Sequence, residues 1–256
     1  MQENGEPIRP FGGQHSWEVV PTLDGSHTLA STDGLLTFHS RYGAITESRH
    51  VFEQMGLEYW LAEYSTGSKA LRVLELGLGT GLNAALVIEG WRSRLALLSA
   101  SGDDVDNTGH GSLNWSYTAL ETHLLDPLLL GQLNYGAHLH HEAWEDWLAV
   151  YRVMHQSLPG YSQQPYRWGC AWEDLEKPPS MSIQYNQSQI VMNVLPQGWE
   201  QKLEGGYDLI FYDAFGPSAQ PELWGEQAVT LLAQRLSNGG VMVTYGAQGA
   251  FRRHLK

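Results

Sequence analysis

The sequence is poor in the groups that staple or anchor a chain. It holds one cysteine, Cys170, among 256 residues. That excludes an internal disulfide framework and a zinc site built on several thiolates, and it fits a reducing compartment. Basic residues are scarce, with 15 Lys and Arg against 28 Asp and Glu, a formal charge of −13. Affinity for polynucleotides rests heavily on neutralised phosphates, so this balance weighs against an unaided nucleic-acid binder, although a local basic patch remains compatible with it. No apolar run approaches the roughly 18 residues of a membrane-spanning helix. The opening Met1-Gln2-Glu3-Asn4-Gly5-Glu6-Pro7 is polar and acidic, unlike a signal or transit peptide. The expectation is a soluble cytoplasmic protein with no membrane partner.

What is present suits one good-sized domain with an elaboration. Residues 1–66 read as an N-terminal β-meander and helix, and residues 67–256 as the main domain. In the first part, residues 18–23, 26–31 and 35–39 are strand-like runs. Asp24-Gly25 and Asp33-Gly34 separate them, a hairpin signal that predicts three strands. A helical stretch follows from about Ala44, which Gly56 is expected to break or bend. Residues 67–69 read as a connector.

From Leu71 the pattern alternates strand and helix. Residues 71–76 predict a buried strand, then a glycine-rich turn, then a helix to about Trp91. Residues 99–112 read as an inserted loop, residues 114–120 as a strand and residues 127–156 as helix. Residues 159–179 look irregular. Residues 181–185, 207–212 and 241–245 predict strands, with a helix over 222–236 and a turn at Asn238-Gly239-Gly240. The whole predicts an α/β fold, a doubly wound, mostly parallel sheet with helices on both faces.

The sharpest local signal is Glu75-Leu76-Gly77-Leu78-Gly79-Thr80-Gly81, leaving a buried strand and opening a helix. Glycines there permit a tight turn and a close ligand. The spacing is G-x-G-x-G rather than the dinucleotide G-x-G-x-x-G, and no Lys-Ser/Thr pair follows for a triphosphate. It is similar to motif I of the S-adenosylmethionine-dependent methyltransferases; the alternative is a turn that serves helix–strand packing alone.

Glu121 stands just past the second strand of this domain, where an acid can grip a ribose diol or simply face solvent. Asp213 ends the strand 207–212 at the carboxyl edge, where open α/β sheets bind ligands. It can hold an amine nucleophile and help accept its proton, or it can cap the following helix. His138, His140 and His141 do not share one helix face and have no acidic partner pattern, so a solvated surface is the reading and no metal is expected. Arg252, Arg253, His254 and Lys256 form a compact basic cluster that can meet phosphate or end a solvated helix.

Several longer blocks carry a family resemblance. They are Pro21-Thr22-Leu23-Asp24-Gly25-Ser26-His27-Thr28-Leu29, the block from His39-Ser40-Arg41-Tyr42-Gly43 to His50-Val51-Phe52, and the loop at 77–83. Asp213-Ala214-Phe215-Gly216-Pro217 with Pro221-Glu222-Leu223-Trp224 continues them, and Val243-Thr244-Tyr245-Gly246 through Arg252-Arg253 completes them. Together they resemble the methyltransferase domain of the MnmC family, in a stand-alone form without the FAD-dependent oxidase module.

The resemblance implies a class I methyltransferase with S-adenosylmethionine as cofactor. It implies methyl transfer to the amine of 5-aminomethyluridine, with or without 2-thiolation, at the tRNA wobble position. A separate FAD-dependent oxidase or another tRNA-modifying enzyme would then act upstream. Glu75, Gly77, Leu78, Gly79, Thr80, Gly81, Asn83 and Glu121 are the expected cofactor residues. Asp213 is the expected catalytic residue, and Phe215, Pro217, Arg252 and Arg253 are expected to face the substrate.

Three departures accompany the resemblance. The family continues past the Arg-Arg helix into further strands, whereas this sequence ends at Lys256, so the final strands are expected to be missing. Residues 184–188 lie where many methyltransferases place an aspartate on adenine, and Asn186 or Gln187 would have to serve. The acidic total is unusual for a tRNA enzyme. These departures keep two alternatives in view: methylation of a small amine or a protein, and a non-catalytic module that retains the fold.

Overall fold

A computed structural model describes residues 16–64, 70–100, 115–121, 124–157, 180–185, 188–195, 203 and 205–246. The chain begins with an antiparallel hairpin of β1 (Trp17–Pro21) and β2 (His27–Ser31). Asp24 locks its turn by accepting hydrogen bonds from Thr22, Ser26 and the Thr46 N–H.

The third predicted strand does not form. One bridge joins Ala30 to Thr37, and the Thr28 hydroxyl then takes the His39 N–H at 3.0 Å in place of a ladder partner. Phe38 and His39 are thereby released toward the main domain.

A continuous helical rod follows, made of α1 (Ala44–Ser48), a π-helical stretch (Arg49–Glu58) and α2 (Tyr59–Tyr64). Gly56 does not break it. The glycine is buried, and a Cβ there would stand 3.2 Å from Phe211 and Val243, so its role is to let the rod lie close on the sheet. Wide π turns of this length are rare and often mark functional segments.

The main domain contains β3 (Leu71–Leu76), α3 (Leu82–Ala100), β4 (Trp115–Leu120), α4 (Pro127–Leu130) and α5 (His141–Ser157). It continues with β5 (Ser180–Tyr185), β6 (Ser188–Leu195), β7 (Tyr207–Tyr212), α6 (Glu226–Ala233) and β8 (Leu236–Val243). The strand order is β5-β6-β4-β3-β7-β8. Strands β6 to β8 run parallel, and β5 pairs antiparallel on the edge.

Alternation along each central strand splits the interior into two cores. Val73, Tyr117, Leu209 and Phe211 face the rod, α3 and α5, while Leu74, Leu76, Ile210 and Tyr212 face α6. Glu75 belongs to the first face, and nothing of it is exposed.

Several boundaries differ from expectation. Helix α3 runs on to Ala100, because the Ala/Leu-rich sequence after Trp91 keeps high helix propensity. The expected helix over 127–156 is split by a 3-10 turn (Tyr135–Ala137). There Asn134 accepts the His27 N–H at 2.8 Å and donates to the Gly25 carbonyl at 2.9 Å, tying the hairpin down. The helix expected over 222–236 is a 3-10 turn (Pro221–Trp224) followed by α6, with Gly225 between them. Asn238-Gly239-Gly240 lies inside β8 as an irregularity, where the pairing steps from Tyr207↔Leu236 to Leu209↔Val241. Strand β6 was not foreseen. The connector 67–69, most of the 99–112 insertion and the segment 159–179 lie outside the described residues.

Candidate active site

Parallel β3, β4 and β7 end together, with Leu76 paired to Leu120 on one side and to Tyr212 on the other. The chain therefore leaves three adjacent strands at one edge, through Gly77, Glu121 and Asp213. Backbone bonds stitch the exits together: the Gly77 N–H donates to Leu120 at 3.0 Å and the Asp213 N–H to Leu76 at 2.9 Å. Gly77 (φ +88°) and Gly81 (φ +76°) hold left-handed backbone. A Cβ on Gly77 would lie 2.6 Å from the Asp213 carbonyl, and one on Gly81 would overlap the Trp147 ring at 2.1 Å. Both glycines are thus required by the protein's own packing as well as by conformation.

Beneath the loop, one amide joins two carboxyl groups. Asn83, in the first turn of α3, donates through Nδ2 to Glu75 Oε1 at 2.9 Å and to Asp213 Oδ2 at 2.6 Å. The Tyr117 hydroxyl donates to Glu75 Oε2 at 2.7 Å. Burial pushes Glu75 up to about 8 against the pull of the Tyr117 and Asn83 hydrogen bonds, with Glu121 adding to the rise. Burial also raises Asp213 well above the usual carboxylate range, and the nearby Glu75 raises it further. Burial raises the Tyr117 hydroxyl as well, which keeps it a donor. Glu121 accepts the Gly79 N–H at 3.0 Å and so props the loop.

Asp213 does not cap a helix. The segments that follow it begin after Gln220 and Gly225, and neither start has a side-chain cap.

On the open side, the Thr80 hydroxyl meets His39 Nε2 at 2.8 Å, and burial holds His39 down at about 4, so its ring is neutral. Phe38 lies against the loop, 2.9 Å from where a Gly79 Cβ would be. It packs between Trp17 and Phe215, with ring centroids at 4.7 and 5.0 Å. The strand-exit segment is tied by the Tyr245 hydroxyl to the Ala214 carbonyl (2.7 Å), Trp224 Nε1 to the Phe215 carbonyl (2.7 Å) and the Phe215 N–H to Gln220 (3.0 Å). Pro217 is exposed in the turn beyond. Arg252 and Arg253 lie outside the described residues.

The structure thus brings together Glu75, Gly77, Leu78, Gly79, Thr80, Gly81, Asn83, Glu121, Asp213 and Phe215. Tyr117, His39, Phe38 and Trp17 join them unforeseen. For His39 a signal existed, since it opens one of the longer resembling blocks; for Tyr117 the signal was its place on the same face as Glu75.

The segment expected near adenine is misplaced. Gln184 and Tyr185 end β5 and Ser188 begins β6, which pairs Ile190 with Trp115 and Leu195 with Leu120. These residues are at the edge away from the glycine loop, whereas the carboxyl end of β6, at Leu195, is at the site edge. Asn186 and Gln187 themselves lie outside the described residues. Of the histidines, His138 approaches Asn134 at 3.3 Å and His140 lies 3.9 Å from Glu89, the His141 side chain lies outside the described residues, and no metal-holding cluster occurs among those described. No helix among them is long and apolar enough to cross a membrane.

The chain is similar to several known proteins. A family model described as S-adenosyl-L-methionine-dependent methyltransferase matches residues 173–256. The tRNA 5-methylaminomethyl-2-thiouridine biosynthesis bifunctional protein MnmC of Cupriavidus necator is 23% identical over 222 residues, 86% of this chain and 28% of that protein. Its counterpart in Cupriavidus metallidurans is 25% identical over 251 residues, 93% of this chain and 31% of that protein. The crystal structure of MnmC2 from Aquifex aeolicus shares the fold, with a TM-score of 0.57 and 24% identity over 94% of this chain and 63% of that one. The chain spans about three-tenths of the length of the curated relatives it matches. It is similar to the MnmC proteins, and S-adenosylmethionine is the cofactor that the family match over residues 173–256 implies.

The side chains at the loop fit such a cofactor. Glu121 and Asp213 converge there, with buried Glu75 and half-buried Glu47 acting on Asp213 electrostatically. An acidic floor repels a pyrophosphate but suits a ligand bearing a sulfonium and an ammonium. The glycine loop with Thr80 and Glu121 is the part of the site placed to hold it.

Proposed function

We propose that this chain is an N-methyltransferase acting on the amine of 5-aminomethyluridine, with or without 2-thiolation, at the tRNA wobble position. The observation that carries the proposal is Asp213. Its carboxyl group stands at the sheet edge beside the glycine loop, tethered by Asn83 through one oxygen and raised by burial and by Glu75. A raised carboxylate is a competent acceptor for the proton an amine must shed. The bound cofactor supplies an electrophilic methyl group on a sulfonium.

The chain's own residues supply placement. Asp213 would orient the amine so that its lone pair forms the new N–C bond as the methyl–sulfur bond breaks and a neutral thioether leaves, and the carboxylate would take the proton shed by the amine. The aromatic rim of Trp17, Phe38 and Phe215 offers flat apolar faces beside Asp213, the kind of surface on which an unstacked base rests. Dewatering by that rim strengthens the polar contacts inside.

The test is labelled S-adenosylmethionine with undermodified tRNA, followed by nucleoside analysis. Label on the wobble aminomethyluridine is the expected result. A folded, cofactor-binding protein that places no label there refutes the tRNA assignment.

The −13 charge favours a second reading, in which the acceptor is a small amine or a protein. Activity on tRNA should fall steeply as salt rises, whereas salt-insensitive methylation of a small amine would favour the second reading.

A further inference from the structure

We infer that Glu75 and Tyr117 are positioning residues for Asp213, acting through Asn83, and that Glu75 does not touch the cofactor. The inference rests on the reading of Asp213 as the group that faces the acceptor amine. The acid two residues before the glycine loop would ordinarily be assigned to the cofactor, and the geometry denies it that role. Glu75 is 0% exposed. Each of its two oxygens already accepts a hydrogen bond, one from Asn83 and one from Tyr117. Asn83 is 2% exposed, and its amide nitrogen has two hydrogens, one aimed at Glu75 and one at Asp213.

The chain Tyr117–Glu75–Asn83–Asp213 thus crosses β4, β3, the start of α3 and the end of β7. Two of its contacts end on buried Glu75, and the third carries on to the Asp213 carboxylate at the open edge. Glu75 thereby fixes the Asn83 amide, and the amide fixes the orientation of Asp213. Tethering one Asp213 oxygen selects which edge of the carboxylate meets the acceptor, and misplacement of such a group by about 1 Å can cost on the order of 10²-fold in rate.

Glu75 is also a like charge for Asp213. The other groups that bear on the pair are Glu121 and Tyr117 on Glu75, with Glu47, Tyr117, Tyr135 and Tyr245 acting on Asp213. Replacing Glu75 by an isosteric neutral amide removes one repulsion and leaves Glu47 and Tyr245 in place.

The experiment is Glu75→Gln, with Tyr117→Phe as a gentler companion should the first fail to fold. Affinity for S-adenosylhomocysteine is measured by calorimetry. The titration of Asp213 is followed by carbon NMR of carboxyl-labelled aspartate, its signal identified by its loss in Asp213→Asn. In Glu75→Gln the Asp213 midpoint is expected to move to lower pH while cofactor affinity stays within about twofold. In Tyr117→Phe turnover is expected to fall by about 10-fold or more at unchanged cofactor affinity. A loss of about tenfold in cofactor affinity for Glu75→Gln, or an unmoved Asp213 midpoint, overturns the inference. The two binding and titration readings need no tRNA, so failure of the tRNA assignment shows only in the methylation assay and is distinguishable from failure of this inference.

Discussion

Two carboxyl pairs lie inside the molecule, Glu53 with Glu89 between the rod and α3, and Glu75 in β3 with Asp213 just past β7, and they are balanced in different ways. Glu53 and Glu89 share Arg49, whose guanidinium lies 2.7 Å from one and 2.9 Å from the other and also donates to the His138 carbonyl at 3.1 Å. Burial works against that charge on Arg49, but the two acids beside it hold the group firmly protonated. Glu75 and Asp213 share only a neutral amide, and among the described residues no Lys or Arg contacts either one. The first pair shares one cation and forms a joint between the rod, α3 and the loop before α5. The second has no cation and holds on to protons at an open edge, which a ligand of positive charge can displace.

The largest expected effect lies in the second pair. Asp213→Ala should lower turnover by about 10²–10³-fold while affinity for the uncharged S-adenosylhomocysteine changes little, as for loss of a preorganised polar contact at a reacting centre. Steady-state kinetics beside calorimetry checks this, and near-normal turnover would make Asp213 a structural residue. Asp213→Asn separates two roles: a mild loss points to orientation, and a loss as deep as that of alanine points to proton acceptance.

Arg49→Met is the matching test of the first pair. It leaves Glu53 and Glu89 without their cation, and folding stability should fall by about 3 kcal/mol, the low end for a broken buried pair because Arg49 keeps some solvent contact. Denaturant unfolding reads the loss. Turnover measured well below the new melting temperature should stay near normal, and a selective loss of turnover would show that the two pairs are coupled.

The pH dependence is a smaller effect. Glu75 is raised from 4.5 to about 8 in the folded state, so the folded chain keeps a proton that the unfolded chain has lost. This contribution to stability is complete below about pH 4.5 and disappears as pH rises through about 8, with a slope of up to about 1 kcal/mol per pH unit. His39, pushed down to about 4, acts oppositely, because its unfolded form takes up a proton as pH falls below about 6.5. The difference between wild type and Glu75→Gln therefore cancels His39 and leaves the glutamate together with the rise it imposes on Asp213. Thermal melts across pH 5–9 should show wild type losing more stability than the variant, and parallel curves would refute the raised carboxyl.

How far these pairs were legible in the sequence follows from their physics. The buried strands β3, β4 and β7 read well because central parallel strands are near-continuous apolar runs, and the glycine loop stood out from its spacing. Asp213 was found by its place at a strand end. The link from Tyr117 to Glu75 was hidden, because residues 42 apart meet only through the register of β3 with β4. The Arg49 joint was hidden for the same reason, since it unites the rod with α3 and with the loop before α5. The third hairpin strand was over-read because the Asp33-Gly34 turn is real while the continuation depends on Thr28, a side chain on a neighbouring strand. The adenine segment went astray because β6 was missed, which placed Gln184 and Tyr185 at the wrong edge.

The central claim is that the Glu75–Asp213 pair is a site for positive charge. Calorimetry of S-adenosylmethionine and S-adenosylhomocysteine binding at pH 7, repeated in buffers of different ionisation enthalpy, counts the protons released by each ligand. The sulfonium carries the charge that the thioether lacks, so the account predicts greater proton release with S-adenosylmethionine, and a smaller difference between the ligands in Glu75→Gln. Equal proton release by the two ligands in the wild-type protein would contradict it.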